Sequence, residues 1–334
     1  MDHYIIPIDN IQCEDTDFNY EVKLKSTSLM HFCSNNILDW TILNDAFERW
    51  YGRFHTERIK EGNYFILSDP QENVPELFGN EEEYKEFMDD KSNWIHFYYG
   101  ASQIFSLCLW LIKDNSVNIR FGIYHSNQHG GFPIMKNVMV SNSKGKYETE
   151  IFQKEDFEKA NKWLEFLSEY YLVVKKETEE RNYEDYNNLN SDIDHNTNSF
   201  KRALTYLEQS RSTSFLPAKI ASYISILETL FVVTDSNTYK TPERTSVFLE
   251  GTKEERSINF KIVKDSYDVR SSYVHGSDIY KKHNKRLNDI SSDLDNIVRK
   301  VLIKFFTEFK HLNYSGDDHK RVNQHFVDLV LGGI

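Results

Sequence analysis

The sequence predicts an α+β protein, in which a mixed N-terminal domain precedes an all-helical C-terminal bundle. Short segments of strand-like composition fall in the first half of the chain, together with helical pieces. After residue 198, apolar residues recur at helical spacing. We therefore predict a mixed α/β domain over residues 1–150 and a helical domain over residues 151–334.

The N-terminal half holds both kinds of element. Helices are predicted over residues 37–51 and 84–88, and a longer amphipathic helix over residues 155–173 has Phe157 and Trp163 on its apolar face. We assign this longer helix to the C-terminal domain. β-branched and aromatic residues predict strands over residues 4–8, 21–25, 64–68 and 117–125.

The C-terminal half follows a polar segment over residues 177–198, which we interpret as a linker. Asn198 is a candidate N-cap for the first helix of the bundle. Pro242 is placed at the start of a short helix, where its missing N–H costs nothing. The other helices of the bundle are predicted over residues 200–210, 217–233, 254–275 and 287–312.

Composition restricts the possible classes of protein. With 334 residues the chain can form two separate cores. Its three cysteines are scattered and lack metal-ligand spacing, as is typical of a reducing cytoplasm. We find no signal peptide, and the longest apolar run, residues 104–112, is too short to span a bilayer. We therefore expect a cytoplasmic protein that does not associate with a membrane.

The segment from Asp268 to Gly276 carries the strongest functional signal. Arg270 is a permanent cation that can hold a phosphate through two parallel hydrogen bonds. His275 can transfer protons near neutral pH. Residues five positions apart on a helix point about 140° from each other. We expect Gly276 to take a left-handed cap conformation, so that the last turn unwinds and brings the imidazole toward the arginine.

A purely structural interpretation of the same residues remains open. Arg270 shares a helical row with Tyr267, so we expect the guanidinium to be partly buried. In the structural interpretation Arg270 forms an internal ion pair and His275 caps the helix. Glu228 lies in an otherwise apolar helix, where it could orient Arg270 or face solvent.

Three sequence blocks, in this order along the chain, resemble the Apea-like branch of the HEPN superfamily. Residues 218–231 are similar to its "LE-x-LF" helix, and residues 243–249 to a connecting helix that begins with a Glu-Arg pair. Residues 269–276 resemble its arginine-x4–6-histidine signature in the form Arg-Ser-x-x-Val-His-Gly. The resemblance covers residues 195–312. It departs at Ser271, because many HEPN ribonucleases have Asn, Asp or His directly after the arginine.

The resemblance implies a metal-independent endoribonuclease that leaves 2′,3′-cyclic phosphate and 5′-hydroxyl ends. Arg270 and His275 are its implied catalytic residues, and no cofactor or metal is expected. A homodimer would place two such motifs face to face. The resemblance also implies bacterial anti-phage defence or a toxin–antitoxin system, in which the N-terminal domain responds to a regulatory partner or a phage trigger. The supporting residues would be Ser271, Tyr273, Glu228 and Arg244.

Charge around the motif is locally basic, although the chain carries a net charge of −12. Overall acidity argues against nonspecific coating of nucleic acid. A solvated, salt-bridged helix face would explain the local lysines equally well. The candidate RNA-binding residues are Lys264, Lys281, Lys282 and Lys285.

Other signals are weaker. His125 and His129 have the spacing of a helical metal pair, but they fall where a strand ends in a glycine turn, so we do not assign a metal site. The alternative function is a non-catalytic HEPN module that binds a protein, a nucleotide or RNA.

Overall fold

The computed structural model confirms the α+β class. It describes residues 2–15, 17–24, 27–34, 45–68, 91–126, 130–135, 138–171, 198–231, 237–314 and 319–331. The chain forms two compact units, one over Met1–Met139 and Glu148–Ser191, and the other over Val140–Tyr147 and Asp192–Ile334.

A six-stranded antiparallel sheet forms the centre of the first unit. Its spatial order is β3-β4-β5-β1-β6-β7, which places β1 and β5 in the middle. A separate parallel pair joins β2 to β8. The strands are β1 (Asp2–Ile8), β2 (Ile11–Cys13), β3 (Asn19–Leu24), β4 (Thr27–Cys33), β5 (Asn63–Ser68), β6 (Phe121–Ser126), β7 (Gly130–Met135) and β8 (Glu150–Phe152).

Strand β1 is buried from His3 to Ile8 because both faces of the sheet are covered. Ile5 belongs to a core cluster with Phe47 and Ile59, which come from helices α1 (Asp45–Tyr51) and α2 (Arg53–Glu61). The preceding side chain, Tyr4, points to the opposite face of the sheet. Its ring lies 5.5 Å from that of Tyr98 on helix α3 (Lys91–Ile112). Successive residues of a strand point to opposite faces, so β1 connects two apolar layers.

No residue of helix α3 is fully exposed, and 16 of its 22 residues are buried. Its length and composition would allow it to cross a membrane, but 78% of its most apolar window is buried inside the fold. A helix that is apolar all round and buried is typical of a protein core.

Helix α4 (Lys154–Tyr171) packs against α3 and β3, so it belongs to the first unit, whereas the predicted boundary assigned it to the second. Phe157 carries much of this packing, since its ring lies 5.8 Å from that of Phe105 on α3 and 5.4 Å from that of Tyr20 on β3.

The second unit is helical in its described part. Phe231 is the centre of its aromatic core, with Phe248 and Phe326 at ring distances of 5.4 and 4.9 Å. The helices are α5 (Ser199–Arg211), α6 (Leu216–Phe231), α7 (Asn237–Phe248), α8 (Lys253–Val274), α9 (Lys281–Asn284), α10 (Leu287–Thr307) and α11 (His319–Leu331), with a 3-10 turn at Lys310–Leu312.

Most predicted elements of the helical domain are confirmed, and one detail is wrong. The Asn198 side chain accepts a hydrogen bond from the Lys201 N–H at 2.9 Å, which confirms the N-cap. Pro242 does not begin its helix: α7 starts at Asn237, and the buried proline lies inside it. The predicted pieces at 37–44 and 84–88 and the linker at 177–197 lie outside the described residues.

Candidate active site

Helix α8 carries the arginine–histidine motif and begins with a capping box. The Thr252 side chain accepts a hydrogen bond from the Glu255 N–H at 3.2 Å, and the Glu255 carboxylate accepts one from the Thr252 N–H at 2.7 Å. The hydrogen bond from the Thr252 backbone is the largest cause of the lowered pKa of Glu255. The sequence thus fixes the start of the helix locally.

The other end of α8 closes on Gly276, which has a φ of 68°. Its N–H donates to the Tyr273 carbonyl at 3.4 Å, and the Ser277 N–H donates to the Ser272 carbonyl at 2.9 Å. These are the two hydrogen bonds of a Schellman motif. The predicted left-handed cap at Gly276 is confirmed.

Helix packing directs Arg270 toward helix α6. Its Nη2 lies 3.6 Å from Oε2 of Glu228, and the two side chains are 25% and 16% exposed. The guanidinium carbon also lies 5.4 Å from the centre of the Tyr267 ring. The partial burial expected for Arg270 is confirmed, and of the two alternatives for Glu228 the structure shows contact with the arginine.

Tyr267 and Asn237 complete the surroundings of Glu228. Nδ2 of Asn237 donates to Oε1 of Glu228 at 3.4 Å. Burial raises the pKa of Tyr267, and the negative charge of Glu228 raises it further. The Glu228 carboxylate is therefore held between an arginine and two polar side chains.

His275 is exposed and is the C-cap residue of α8. Its backbone N–H donates to the Ser271 carbonyl at 3.0 Å, so helical hydrogen bonding continues to the cap. The expected unwinding of the last turn is therefore wrong, because the glycine reverses the chain only after His275. Within the described part of the chain, no hydrogen bond or ion pair joins Arg270 to His275.

Exposed apolar side chains lie near the end of helix α8. Phe215, Tyr273 and Val274 are exposed, and the rings of Phe215 and Tyr273 lie 5.8 Å apart. We call these three residues the motif patch. Clustered exposed aromatic and aliphatic side chains are typical of an interaction surface. Such rings could stack on bases or pack against a second protein.

The candidate RNA-binding lysines are exposed. Lys281 and Lys282 lie on helix α9, Lys285 follows it, and Lys264 lies on α8. Among the described residues, none of these four lysines takes part in an ion pair. They are therefore available to an anionic ligand.

Arg244 does not reach the motif but is used inside the bundle. It is buried, and its Nη1 donates to the carbonyl of Phe231 and, at 2.8 Å, to Oδ1 of Asn323. Its guanidinium also stacks near the Phe326 ring, with the guanidinium carbon 5.3 Å from the ring centre. Arg244 thus joins helices α6, α7 and α11.

A cluster of titratable side chains that was not predicted from the sequence lies beside the motif. Asp265 and Asp268 on α8 meet His283 of α9, with ligand atoms that all lie within 4.8 Å of one another. The three-residue spacing of the aspartates was visible in the sequence. The approach of His283 to these aspartates was not visible in the sequence, because it depends on the chain reversal at Gly276.

No protein-family model, curated protein or solved structure matches the chain.

Proposed function

We propose that this chain is a metal-independent endoribonuclease that resembles HEPN ribonucleases and uses Arg270 and His275. The observation that carries the proposal is the end of helix α8. There a capped helix presents an exposed imidazole beside the motif patch, and one turn earlier a partly buried guanidinium is held by Glu228. Exposed lysines follow directly on helix α9.

The chemistry requires two proton transfers and one anion-stabilising group. His275 takes the proton of the RNA 2′-hydroxyl, and the resulting oxygen attacks the adjacent phosphorus. The bond from phosphorus to the 5′-oxygen breaks, and a second imidazole protonates the leaving oxygen. Arg270 stabilises negative charge on the phosphorane-like transition state. The products are a 2′,3′-cyclic phosphate and a 5′-hydroxyl.

A two-fold dimer would supply the second imidazole. One histidine does not easily serve as base and acid in the same step, and five positions on a helix separate two side chains by about 140°. A symmetric interface uses the same surface of both copies. The motif patch is an exposed apolar surface next to His275, so it is our candidate for the centre of that interface.

A nuclease assay on total RNA, with and without chelator, tests the proposal. Arg270→Ala and His275→Ala should each abolish cleavage, and wild-type turnover should persist in excess EDTA. Arg256→Ala and His311→Ala are matched controls, because both side chains are exposed elsewhere in the same unit. Undiminished cleavage by both motif variants would overturn the assignment.

A second candidate function is a non-catalytic module that binds a protein, a nucleotide or RNA. It is favoured by the Arg270–Glu228 ion pair and by the C-cap position of His275, which are structural roles. Binding of RNA without cleavage, unaffected by His275→Ala, would support this alternative.

We further propose that the protein acts in the cytoplasm, in bacterial anti-phage defence or in a toxin–antitoxin system. In this proposal the first unit senses a partner or a phage trigger, or selects the RNA. The supporting observation is that Arg270 and His275 both lie in the second unit, which leaves the first unit free for a regulatory or targeting role in this proposal.

A further inference from the structure

Three potential metal ligands converge where the short helix α9 meets helix α8. Asp265 and Asp268 lie three residues apart, so they share a face of α8. His283 comes from α9, after the chain has turned at Gly276. One carboxylate oxygen from each aspartate and one ring nitrogen all lie within 4.8 Å of one another.

A buried ring nitrogen of His283 without a hydrogen-bond partner among the described residues is a second, independent indication of a ligand site. Its side chain is 3% exposed, and Nε2 lies 3.5 Å from Oδ2 of Asp268. Within the described residues, this buried nitrogen has no hydrogen-bond partner. Buried polar atoms are almost always satisfied, so such a nitrogen calls for a partner.

Local backbone contacts hold the histidine in this position. The His283 N–H donates to the Tyr280 carbonyl at 2.8 Å, and the Arg286 N–H donates to the His283 carbonyl at 2.9 Å. The Tyr280 ring packs 6.2 Å from the imidazole. The turn of α9 therefore aims the ring at the aspartates before any ligand arrives.

We infer that Asp265, Asp268 and His283 form a binding site for a divalent transition-metal ion. Two aspartates at this spacing repel each other on one helix face. A single protonated histidine would neutralise only one of the two carboxylate charges, whereas a divalent cation would neutralise both. Within the described residues, no ion pair satisfies Asp265.

The donor set restricts the ion. A neutral imidazole with two carboxylates suits Zn²⁺, Mn²⁺ or Co²⁺ better than Mg²⁺ or Ca²⁺, which prefer oxygen alone. Metal–ligand bonds of about 2.0–2.2 Å would draw the three side chains slightly closer together. Three protein ligands leave at least one position for water or an anion.

The ion would join the lysine-bearing helix α9 to helix α8. The segment between the two helices is exposed from Ser277 to Asp278, so the ion would add an attachment between α9 and α8 beyond the glycine cap and the hydrogen bonds from Ser277 to Ser272. This inference is independent of the proposed ribonuclease activity, because none of the ligands is a proposed catalytic residue.

Titration of the full-length protein with Co²⁺, followed by its visible absorption, tests the site. We expect one ion per chain, displaced by Zn²⁺. Asp268→Asn and His283→Ala should weaken binding by more than roughly 100-fold, since even loss of an outer-shell partner costs 10–100-fold. The matched controls are Asp278→Asn and His275→Ala, which change an exposed acid and an exposed histidine nearby and should bind like wild type.

Thermal unfolding with and without Zn²⁺ provides a second readout. Zn²⁺ should raise the Tm of the wild type and of Arg270→Ala, but not that of Asp268→Asn. If His283→Ala fails to fold, Asp265→Asn and Asp268→Asn decide the question, because both keep the side-chain shape. Wild-type affinity in these variants, or loss of binding in His275→Ala, would overturn the inference. Loss of nuclease activity in Arg270→Ala bears only on the proposed function.

Discussion

The guanidinium of Arg270 lies 3.6 Å from the carboxylate of Glu228, although the two residues belong to different helices. Both side chains are more than two-thirds buried, so solvent screens this pair less than a surface ion pair. The pair orients the guanidinium without enclosing it. An RNA phosphate could therefore meet an arginine that is already positioned.

Glu228→Gln should lower RNA cleavage while leaving the fold intact. The amide keeps the shape of the carboxylate but loses its charge, so Arg270 is held less firmly. We expect kcat/KM to fall roughly tenfold, which corresponds to about 1.4 kcal/mol. We expect the free energy of unfolding to fall by about 1–3 kcal/mol, because the partly buried arginine loses its charged partner. Glu254→Gln, at the exposed start of helix α8, which carries Arg270, is the control. Equal activity of the two variants would show that Glu228 does not act through Arg270.

Val274→Lys should dissociate the proposed dimer. Val274 is 54% exposed beside His275, so a lysine is tolerated in the monomer but places a charge in the interface. Ile258→Lys is a close control, because Ile258 is 58% exposed on the same helix, four turns away. Light scattering should show a monomer only for Val274→Lys. A wild-type monomer with full nuclease activity would contradict the dimer.

Gly276→Ala should destabilise the end of helix α8 by about 1–2 kcal/mol, because a side chain disfavours the left-handed conformation. The added methyl group would enter open space, so the cost comes from the backbone alone. Gly145→Ala should cost more, since Gly145 has a φ of 70° and its methyl group would also clash with the Ser214 carbonyl. Urea unfolding measures the loss of stability in each variant. A larger loss in Gly276→Ala than in Gly145→Ala would contradict this explanation.

Asp295→Ala should destabilise the helical unit by about 3–5 kcal/mol, as removal of one partner from a buried ion pair does. Asp295 is buried, accepts a hydrogen bond from the Tyr223 hydroxyl at 2.6 Å and pairs with Arg299. The substitution weakens the attachment of α6, which carries Glu228, to α10. Asp293→Ala, at an exposed position two residues away, should change stability by less than about 0.5 kcal/mol. Similar unfolding midpoints for Asp295→Ala and Asp293→Ala would rule out this stabilising role of Asp295.

Local signals in the sequence accounted for most of the helical unit. The start of α8 depends on Thr252 and Glu255 and its end on Gly276, each of which lies at the helix end that it determines. The predicted span of α8 was within one residue of the observed one. Pro242 was misplaced because a proline favours a helix start, whereas tertiary packing here buries it within α7.

Long-range contacts limited the prediction elsewhere. Strands β1, β3, β5 and β6 were predicted, but β2 and β8 are short and pair across more than 130 residues of chain. Helix α4 was assigned to the second unit, although it packs in the first. An amphipathic pattern does not identify the surface that the helix covers. The Arg270–Glu228 contact and the approach of His283 to α8 likewise join residues that are distant in sequence.

Analysis of the RNA ends produced by the full-length protein, with His275→Ala as the matched control, tests the central claim most directly. We predict 2′,3′-cyclic phosphate and 5′-hydroxyl ends, resistance of a substrate with a 2′-deoxy sugar at the cleavage position, and no cleavage by His275→Ala. Products with 3′-hydroxyl and 5′-phosphate ends, or equal cleavage by the variant, would contradict it.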